Sequence, residues 1–354
     1  MRVIFLPFFR KNPYQKLLKT ALERQGVRVF AGQRHRFFSL WRALCSRGKP
    51  EVIHLHWQHP FLLAATKFRT LLKSTLFVLE VLLVKAVGIR LVWTVHNLHA
   101  HEKIFQGTEL FFGKILARLF NRLIVHSQSA VEEVTAAFGQ KKAGKISVIP
   151  HASFIGYYCS SLKRDQARQR LGIEPDRLVF LNFGIIRAYK GGEHLIESFK
   201  KWPHPEALLL LVGTFYTEEM AHTIRGQVQG CGNIKIVSQY VADDDLQIYF
   251  NAADAVVLPY ENILASSVAV LSMSFARPVV APALEFMREI VGEEDNFLFD
   301  PRQPQGLLDA LNRVNDCRTE LAERGRRNYE RIKPLTWEAM ARQTAGVYRE
   351  VLGE

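Results

Sequence analysis

The chain has 354 residues, 48 % hydrophobic and 23 % charged, and 47 Lys and Arg against 34 Asp and Glu leave a formal net charge of +13. That length exceeds one ordinary core and suits two domains of roughly 150–180 residues, while the positive excess calls for an acidic partner: nucleic acid, an anionic membrane surface or a phosphate-bearing substrate. Cys45, Cys159, Cys231 and Cys317 lie far from CxxC spacing, which argues against a zinc site, a thioredoxin-like motif or a disulfide framework and fits a reducing cytoplasm.

The N-terminal MRVIFLPFFRKNPYQ has a short apolar part that ends in Arg10-Lys11 with no small-residue cleavage site after it. It reads as a first strand over residues 2–7 and not as a secretion signal. Strand patterns continue through VRVFAG, VIHLHW, RLVWTVHN, RLIVHS and KISVIPH. Helical patterns separate most of them: NPYQKLLKTALERQG, PFLLAATKFRTLLKSTLFVLEVLLVKAVG, TELFFGKILARLFN and SAVEEVTAAFG. The second of these is the most apolar segment of the chain. Lys73, Glu80 and Lys85 interrupt it, so no run approaches the ~20 apolar residues of a spanning helix. Arg69, Lys73 and Glu80 fall on one helical face, which makes it a largely buried or interfacial amphipathic helix. In TELFFGKILARLFNR, Lys114, Arg118 and Arg122 recur at i, i+4 and i+8. Phe111, Phe112, Ile115, Leu116, Leu119 and Phe120 occupy the remaining surface. Such a helix either meets an anionic bilayer or packs on the core with a solvated basic edge.

The second half repeats the scheme with strands LVFLNFG, ALLLLVG, IKIVSQY, AVVLPY, PVVAP and NFLFD. Between or after them lie the helical patterns GGEHLIESFKKW, EEMAHTIRGQVQ, DDDLQIYFNAA, SSVAVLSMSFA and PQGLLDALNRV. Strand–helix alternation of this kind predicts two doubly wound α/β domains with parallel sheets. The polar stretch 160–177 supplies the boundary. The expected domains are 1–160 and 161–334, followed by an amphipathic helix within 335–354.

In open parallel sheets, ligands bind at the carboxyl ends of the strands. At one such end FGIIRAYKGG places Gly184, Arg187 and Lys190 before a helix opened by Gly191-Gly192. A guanidinium fork, an ammonium and helix amides suit a diphosphate; a plain polar turn is the other reading. At another end PYENILASS brings Ser266 to a helix start, as an N-cap or, with the amides of residues 266–268, as a phosphate contact. In the first half His96, His99, His101 and Glu102 lie within seven residues. They read as a general base, a metal site or a polar capped loop. His126 and His151 also end strands. Asp243–Asp245 read as a helix cap.

Two tandem Rossmann-like domains with FGIIRAYKG, AADAVVLPY, FARPVVAP and NFLFDP resemble the GT-B glycosyltransferases over nearly the whole chain. The resemblance implies a second domain that binds a GDP- or UDP-linked sugar, a first domain that takes the acceptor, and a terminal helix that crosses back to the first domain. It implies that Gly184, Arg187, Lys190, Ser266 and Ser267 hold the diphosphate, with Tyr240 and Tyr260 near base or ribose. Retaining members carry two glutamates eight positions apart; here those positions are Ile263 and Leu271. The pattern is closer to inverting bacterial transferases that extend lipid-linked exopolysaccharide intermediates. The expectation is therefore inverting chemistry without a metal or other cofactor, with His96 as base and Glu102 second. Asn12, His126 and His151 would line the acceptor side. The expected partners are a nucleotide sugar, a glycan or polyprenyl-diphosphate-linked acceptor and an anionic membrane surface, but not nucleic acid. The expected location is cytoplasmic, peripheral on the inner face of the plasma membrane.

Overall fold

The computed structural model describes residues 1–35, 38–47, 49–100, 105–139, 144–261 and 263–354. Over these residues the aliphatic runs form two parallel sheets of six strands each. By internal contacts the chain divides into two units, Met1–Ala152 with Leu335–Glu354, and Ser153–Pro334. Each unit has the Rossmann-like architecture of the GT-B fold.

In the first unit the elements run β1 (Arg2–Leu6), α1 (Pro13–Arg24), β2 (Arg28–Ala31), α2 (Ser39–Arg47), β3 (Val52–Leu55), α3 (His59–Leu62) and α4 (Lys67–Ala86). They continue with β4 (Arg90–Thr94), α5 (Gln106–Leu119), β5 (Arg122–Val125), α6 (Gln128–Phe138) and β6 (Ile146–Val148). The sheet order is β2-β1-β3-β4-β5-β6. Central strands β1, β3 and β4 are buried on both faces, as Val3, Ile4, Val52, Ile53, Leu91 and Val92 show, which is why they read as unbroken apolar runs.

The second unit holds α7 (Arg164–Leu171), β7 (Val179–Phe183), α8 (Gly192–Lys201), β8 (Leu208–Val212), α9 (Glu218–Val228), β9 (Ile234–Val237) and α10 (Leu246–Ala252). After these come β10 (Ala255–Val257), α11 (Ser267–Ser274), β11 (Val279–Pro282), α12 (Glu285–Ile290), β12 (Phe297–Phe299), α13 (Gly306–Asp316) and α14 (Leu321–Ile332). Its sheet order is β12-β11-β10-β7-β8-β9. The last helix, α15 (Trp337–Leu352), belongs to the first unit and packs on α1.

Three sequence expectations need correction. The division falls after Ala152 and not at 160, because residues 153–162 are tied to the second unit. Phe154 N donates to Ser274 Oγ (3.0 Å), and Ser161 N and Leu162 N both donate to Gln247 Oε1 (2.9 and 3.0 Å). The polar stretch is itself helical over α7. Arg168, 1 % exposed, spends its charge on Asp254 at 2.7 Å and on the carbonyls of Pro175 and Arg177, so a polar sequence still makes a packed element. The single long helix of residues 60–88 is two, α3 and α4. Thr70 Oγ1 bonds both N and O of Ala64, and Thr66 caps α4 by accepting from Arg69 N.

Candidate active site

Two strand-end clusters carry the chemistry, one in each unit. In the second unit, β7 ends at Phe183 and Gly184 turns with φ +107°, a conformation that glycine adopts without strain. Gly184 N donates to Val212 O (2.9 Å) and Ile186 N to Thr214 O (2.8 Å), so the loop after β7 runs beside the loop after β8. Gly213 lies so close that a β-carbon there would overlap the Gly184 carbonyl. Arg187 stacks its guanidinium 4.1 Å over the Tyr216 ring, a cation–π contact that fixes its plane. Gly191 (φ +66°) presses against the Pro259 carbonyl, and Glu261 N donates to Tyr189 O (3.0 Å). The FGIIRAYKGG loop is thereby bound to the loop after β10.

Lys190 is the centre of this arrangement. Its Nζ lies 5.9 Å from the centre of the buried Tyr260 ring and 3.1 Å from where a β-carbon on Gly184 would stand. Burial, and next the Arg187 charge, bring its ammonium down to about 8. Val268, in the first turn of α11, comes within 3.9 Å of the same point on Gly184. Ser266 caps α11, its Oγ accepting from Ala269 N at 3.1 Å. An ammonium, a glycine backbone and helix-start amides therefore gather around Gly184, where only an anion would be stabilised by all three. Ser267, the first residue of α11, is exposed beside the buried Ser266. Tyr260 is 2 % exposed, with its ring 5.9 Å from Lys190 Nζ, while Tyr240 is 68 % exposed beyond β9. Ile263 and Leu271 are both buried apolar side chains.

The first unit gathers histidines. His54 and His56, on and just past β3, stack at 4.3 Å between ring centres. His54 Nδ1 lies 2.6 Å from Tyr348 Oη and its Nε2 2.7 Å from Thr94 Oγ1. His56 Nδ1 faces His96 Nε2 at 3.4 Å, and His96 stacks on Trp57 at 4.5 Å. The rings of His96 and His126 are 5.4 Å apart, those of His126 and His151 5.6 Å. Tyr14 from α1 stands among them, 5.0 Å from His96, 5.5 Å from His126 and 5.3 Å from His151. Trp337 closes the cluster against Tyr14 and His151.

Burial, reinforced by neighbouring histidines, pushes His54 and His151 down to about 3, and burial pushes His126 down to about 4. His56 and His96 lie well below their ordinary value for the same reasons. All five are neutral imidazoles at physiological pH. Among the five, His96 alone is partly exposed. Its Nε2 faces His56, and its Nδ1 can take a proton only in the tautomer in which Nε2 carries the hydrogen and donates to His56 Nδ1.

The other expected residues take different places. His126 Nδ1 bonds Ile149 O (2.8 Å) and His151 Nδ1 bonds Ala152 O (2.7 Å); both side chains are buried behind Tyr14. Asn12 caps α1, its Oδ1 accepting from Tyr14 N at 3.0 Å. His101 and Glu102 lie outside the described residues. Sequence reasoning missed Tyr14, Trp337 and Tyr348, which reach the cluster from α1 and α15. It also missed Tyr216, the support for Arg187. Each is an aromatic on an element remote in sequence from the histidines or from Arg187, and no local pattern marks it.

Residues 163–331 match the family of group 1 glycosyl transferases, and residues 4–152 match glycosyltransferase family 4. A GDP-mannose:glycolipid 4-beta-D-mannosyltransferase from Xanthomonas campestris pv. campestris is 29 % identical over 310 residues, 86 % of this chain and 80 % of that protein. Among solved structures, a sucrose-phosphate synthase from Thermosynechococcus elongatus aligns over 99 % of both chains with a TM-score of 0.80 at 20 % identity. The Anabaena protein HepE, in complex with UDP and glucose, aligns over 99 % of this chain and 100 % of its own with a TM-score of 0.76 at 17 % identity. At these identities the solved structures speak for the fold alone.

Proposed function

The chain belongs to the group 1 glycosyltransferases, and from that premise we propose that it transfers a hexose from a nucleotide sugar to a lipid-linked glycan, with inversion and without a metal. GDP-mannose is the first donor to test, because the Xanthomonas relative is named for it; UDP-sugars are the second. The observation that carries the donor side is the convergence of Lys190 Nζ and the first turn of α11 on Gly184. A nucleoside diphosphate seated there has its leaving charge met by Lys190, Arg187 and the α11 amides, which is the work a metal does in other transferases.

Transfer proceeds in one displacement. The acceptor oxygen attacks the anomeric carbon on the face opposite the diphosphate and loses its proton to His96 Nδ1. The bond from carbon to phosphate oxygen breaks, and the diphosphate leaves with the electron pair. One further point supports inversion: Ile263 and Leu271 put buried apolar side chains where the retaining pattern has carboxylates. The base proposed for that displacement is His96, neutral because burial and its histidine neighbours hold it well below its ordinary value, which makes it a weaker acceptor than a free imidazole. Glu102 remains the second candidate for that role. A lipid-linked acceptor places the work at a membrane surface, for which we infer the cytoplasmic face of the plasma membrane.

The test is thermal stabilisation of the full chain by GDP-mannose and by UDP-glucose. Wild type should be stabilised by one of them. Arg187→Ala and Lys190→Ala should keep the unliganded melting temperature and lose the shift. Undiminished shifts in both variants would contradict the diphosphate assignment.

A further inference from the structure

Helix α4 buries a mixed face, on which Thr70, Ser74 and Glu80 lie beside Phe77, Val81 and Val84, each at 4 % exposure or less. These polar groups are consumed in holding neighbours: Thr70 Oγ1 on Ala64, Ser74 Oγ on Leu62 O (3.0 Å), and Glu80 Oε2 on Leu40 N (3.2 Å). The outward face is apolar. Phe68 is 75 % exposed, Leu71, Leu72, Leu79 and Leu82 between 44 and 50 %, and Leu83 56 %. Phe68, Leu71 and Leu72 form one group and Leu79, Leu82 and Leu83 a second that starts seven residues after Leu72, with exposed Thr75 between them, on a 20-residue helix about 30 Å long. Water-facing apolar surfaces of this size are rare on isolated soluble domains.

The helices packed on α4 carry exposed apolar side chains of their own. Trp41 on α2, Phe38 just before it and Phe111 on α5 are each about half exposed. Arg42, Lys67, Arg69, Lys114 and Arg118 are exposed on the same three helices. Among their described residues the carboxylates are Glu80 and Glu109, only 4 % and 1 % exposed. The outward surface of α2, α4 and α5 therefore combines leucines, aromatics and cations with no exposed carboxylate. Of the two readings of α5, the structure matches a helix packed on the core with a solvated basic edge: Phe112 and Leu116 are buried, Lys114, Arg118 and Phe111 are exposed, and Arg122 lies in β5.

We propose that α4 lies in the plane of an anionic bilayer, with its Leu and Phe side chains in the headgroup–acyl boundary and the flanking Lys and Arg on lipid phosphates. Among the described residues no helix is long and apolar enough to cross a membrane. With charges at Lys73, Glu80 and Lys85, α4 can lie on a bilayer but not span it. A second copy of the chain fits this face less well. A two-fold contact would set its cations against the same cations with no exposed carboxylate to receive them. Lipid phosphate supplies the missing negative charge. The inference deepens the reading of a membrane-borne acceptor by naming the surface that reaches it, and it is tested without donor or acceptor, so either can fail alone.

The experiment is flotation of the full-length protein with vesicles of phosphatidylglycerol and phosphatidylcholine, against pure phosphatidylcholine. Wild type should float with the mixed vesicles and far less with the neutral ones. The triple variant Leu72→Gln, Leu79→Gln, Leu83→Gln should lose about tenfold or more in partitioning, since three partly buried leucines are removed. Its melting temperature and its stabilisation by nucleotide sugar should stay at wild-type values. Arg69→Gln with Lys114→Gln should weaken binding to anionic vesicles only. Wild type that fails to float, or a triple variant that floats like wild type, overturns the proposal. So does a lipid-free dimer that the triple variant dissolves while vesicle binding persists.

Discussion

The hydroxyl of Tyr348 on the last helix lies 2.6 Å from Nδ1 of His54 on β3, and both side chains are fully buried. The other nitrogen of His54 is taken by Thr94, so the imidazole is satisfied only while α15 is in place. Tyr348→Phe removes one partner and leaves a buried ring nitrogen without one, at a cost of about 1–3 kcal/mol. Equilibrium urea unfolding should show that loss with an unchanged slope. No change in midpoint would mean that α15 packs on the first unit through its apolar face alone.

The histidine cluster should make the protein sensitive to acid. His54, His126 and His151 have folded values of about 3 to 4, whereas in the unfolded chain each binds a proton near 6.5. Their contribution is fully present above about pH 6.5 and is lost as the pH falls towards 4, at roughly 1.4 kcal/mol per pH unit per histidine within that window. Urea midpoints at pH 7.5, 6 and 5 should fall steeply, and His151→Asn should flatten the slope by one histidine's share. A stability that is level from pH 7.5 to 5 would show the imidazoles to be hydrated.

Donor affinity should depend on Lys190 from the opposite side of neutrality. The ammonium is the form that holds a diphosphate, and in the free protein it titrates near 8. Above that pH, binding must first recover a proton, so affinity should fall by up to about tenfold per pH unit. Calorimetry between pH 7 and 9.5 should also detect proton uptake on binding. Lys190→Arg, whose guanidinium stays charged, should bind with little pH dependence over that range.

Ala276 has φ +53°, in the left-handed region that costs most residues about 1 kcal/mol or more. Its carbonyl faces Gly325 on α14 so closely that a β-carbon on Gly325 would overlap it. Ala276→Gly should stabilise the second unit slightly, by up to about 1 kcal/mol, and raise its melting temperature accordingly. Gly325→Ala should lower it despite the better helix propensity of alanine. If Gly325→Ala is stabilising, the close crossing is not maintained in solution.

Much of the fold is legible in the sequence because parallel strands buried on both faces read as short aliphatic runs. Each of the twelve runs from RVIFLP to NFLFD holds a strand. Helices were harder where polarity hid the packing. In α7 the interior contact is Arg168 on Asp254, and in α4 Thr70, Ser74 and Glu80 share the buried face with Phe77, Val81 and Val84 while five leucines stay exposed. Gly184, Arg187 and Lys190 are grouped in the sequence itself, since one loop after β7 carries all three. The histidine cluster was legible only along the strands. That Tyr14, Trp337 and Tyr348 bury it follows from tertiary packing of α1 and α15, which no local pattern records.

Inversion is tested most directly by the anomeric configuration of the first-formed product, read by proton NMR during transfer from GDP-mannose to a glycolipid acceptor. The expected product has the configuration opposite to the donor, and His96→Ala lowers its rate by about 10²–10⁴-fold while donor-induced stabilisation persists. A product that keeps the donor's configuration would contradict the single displacement and the assignment of His96 as its base.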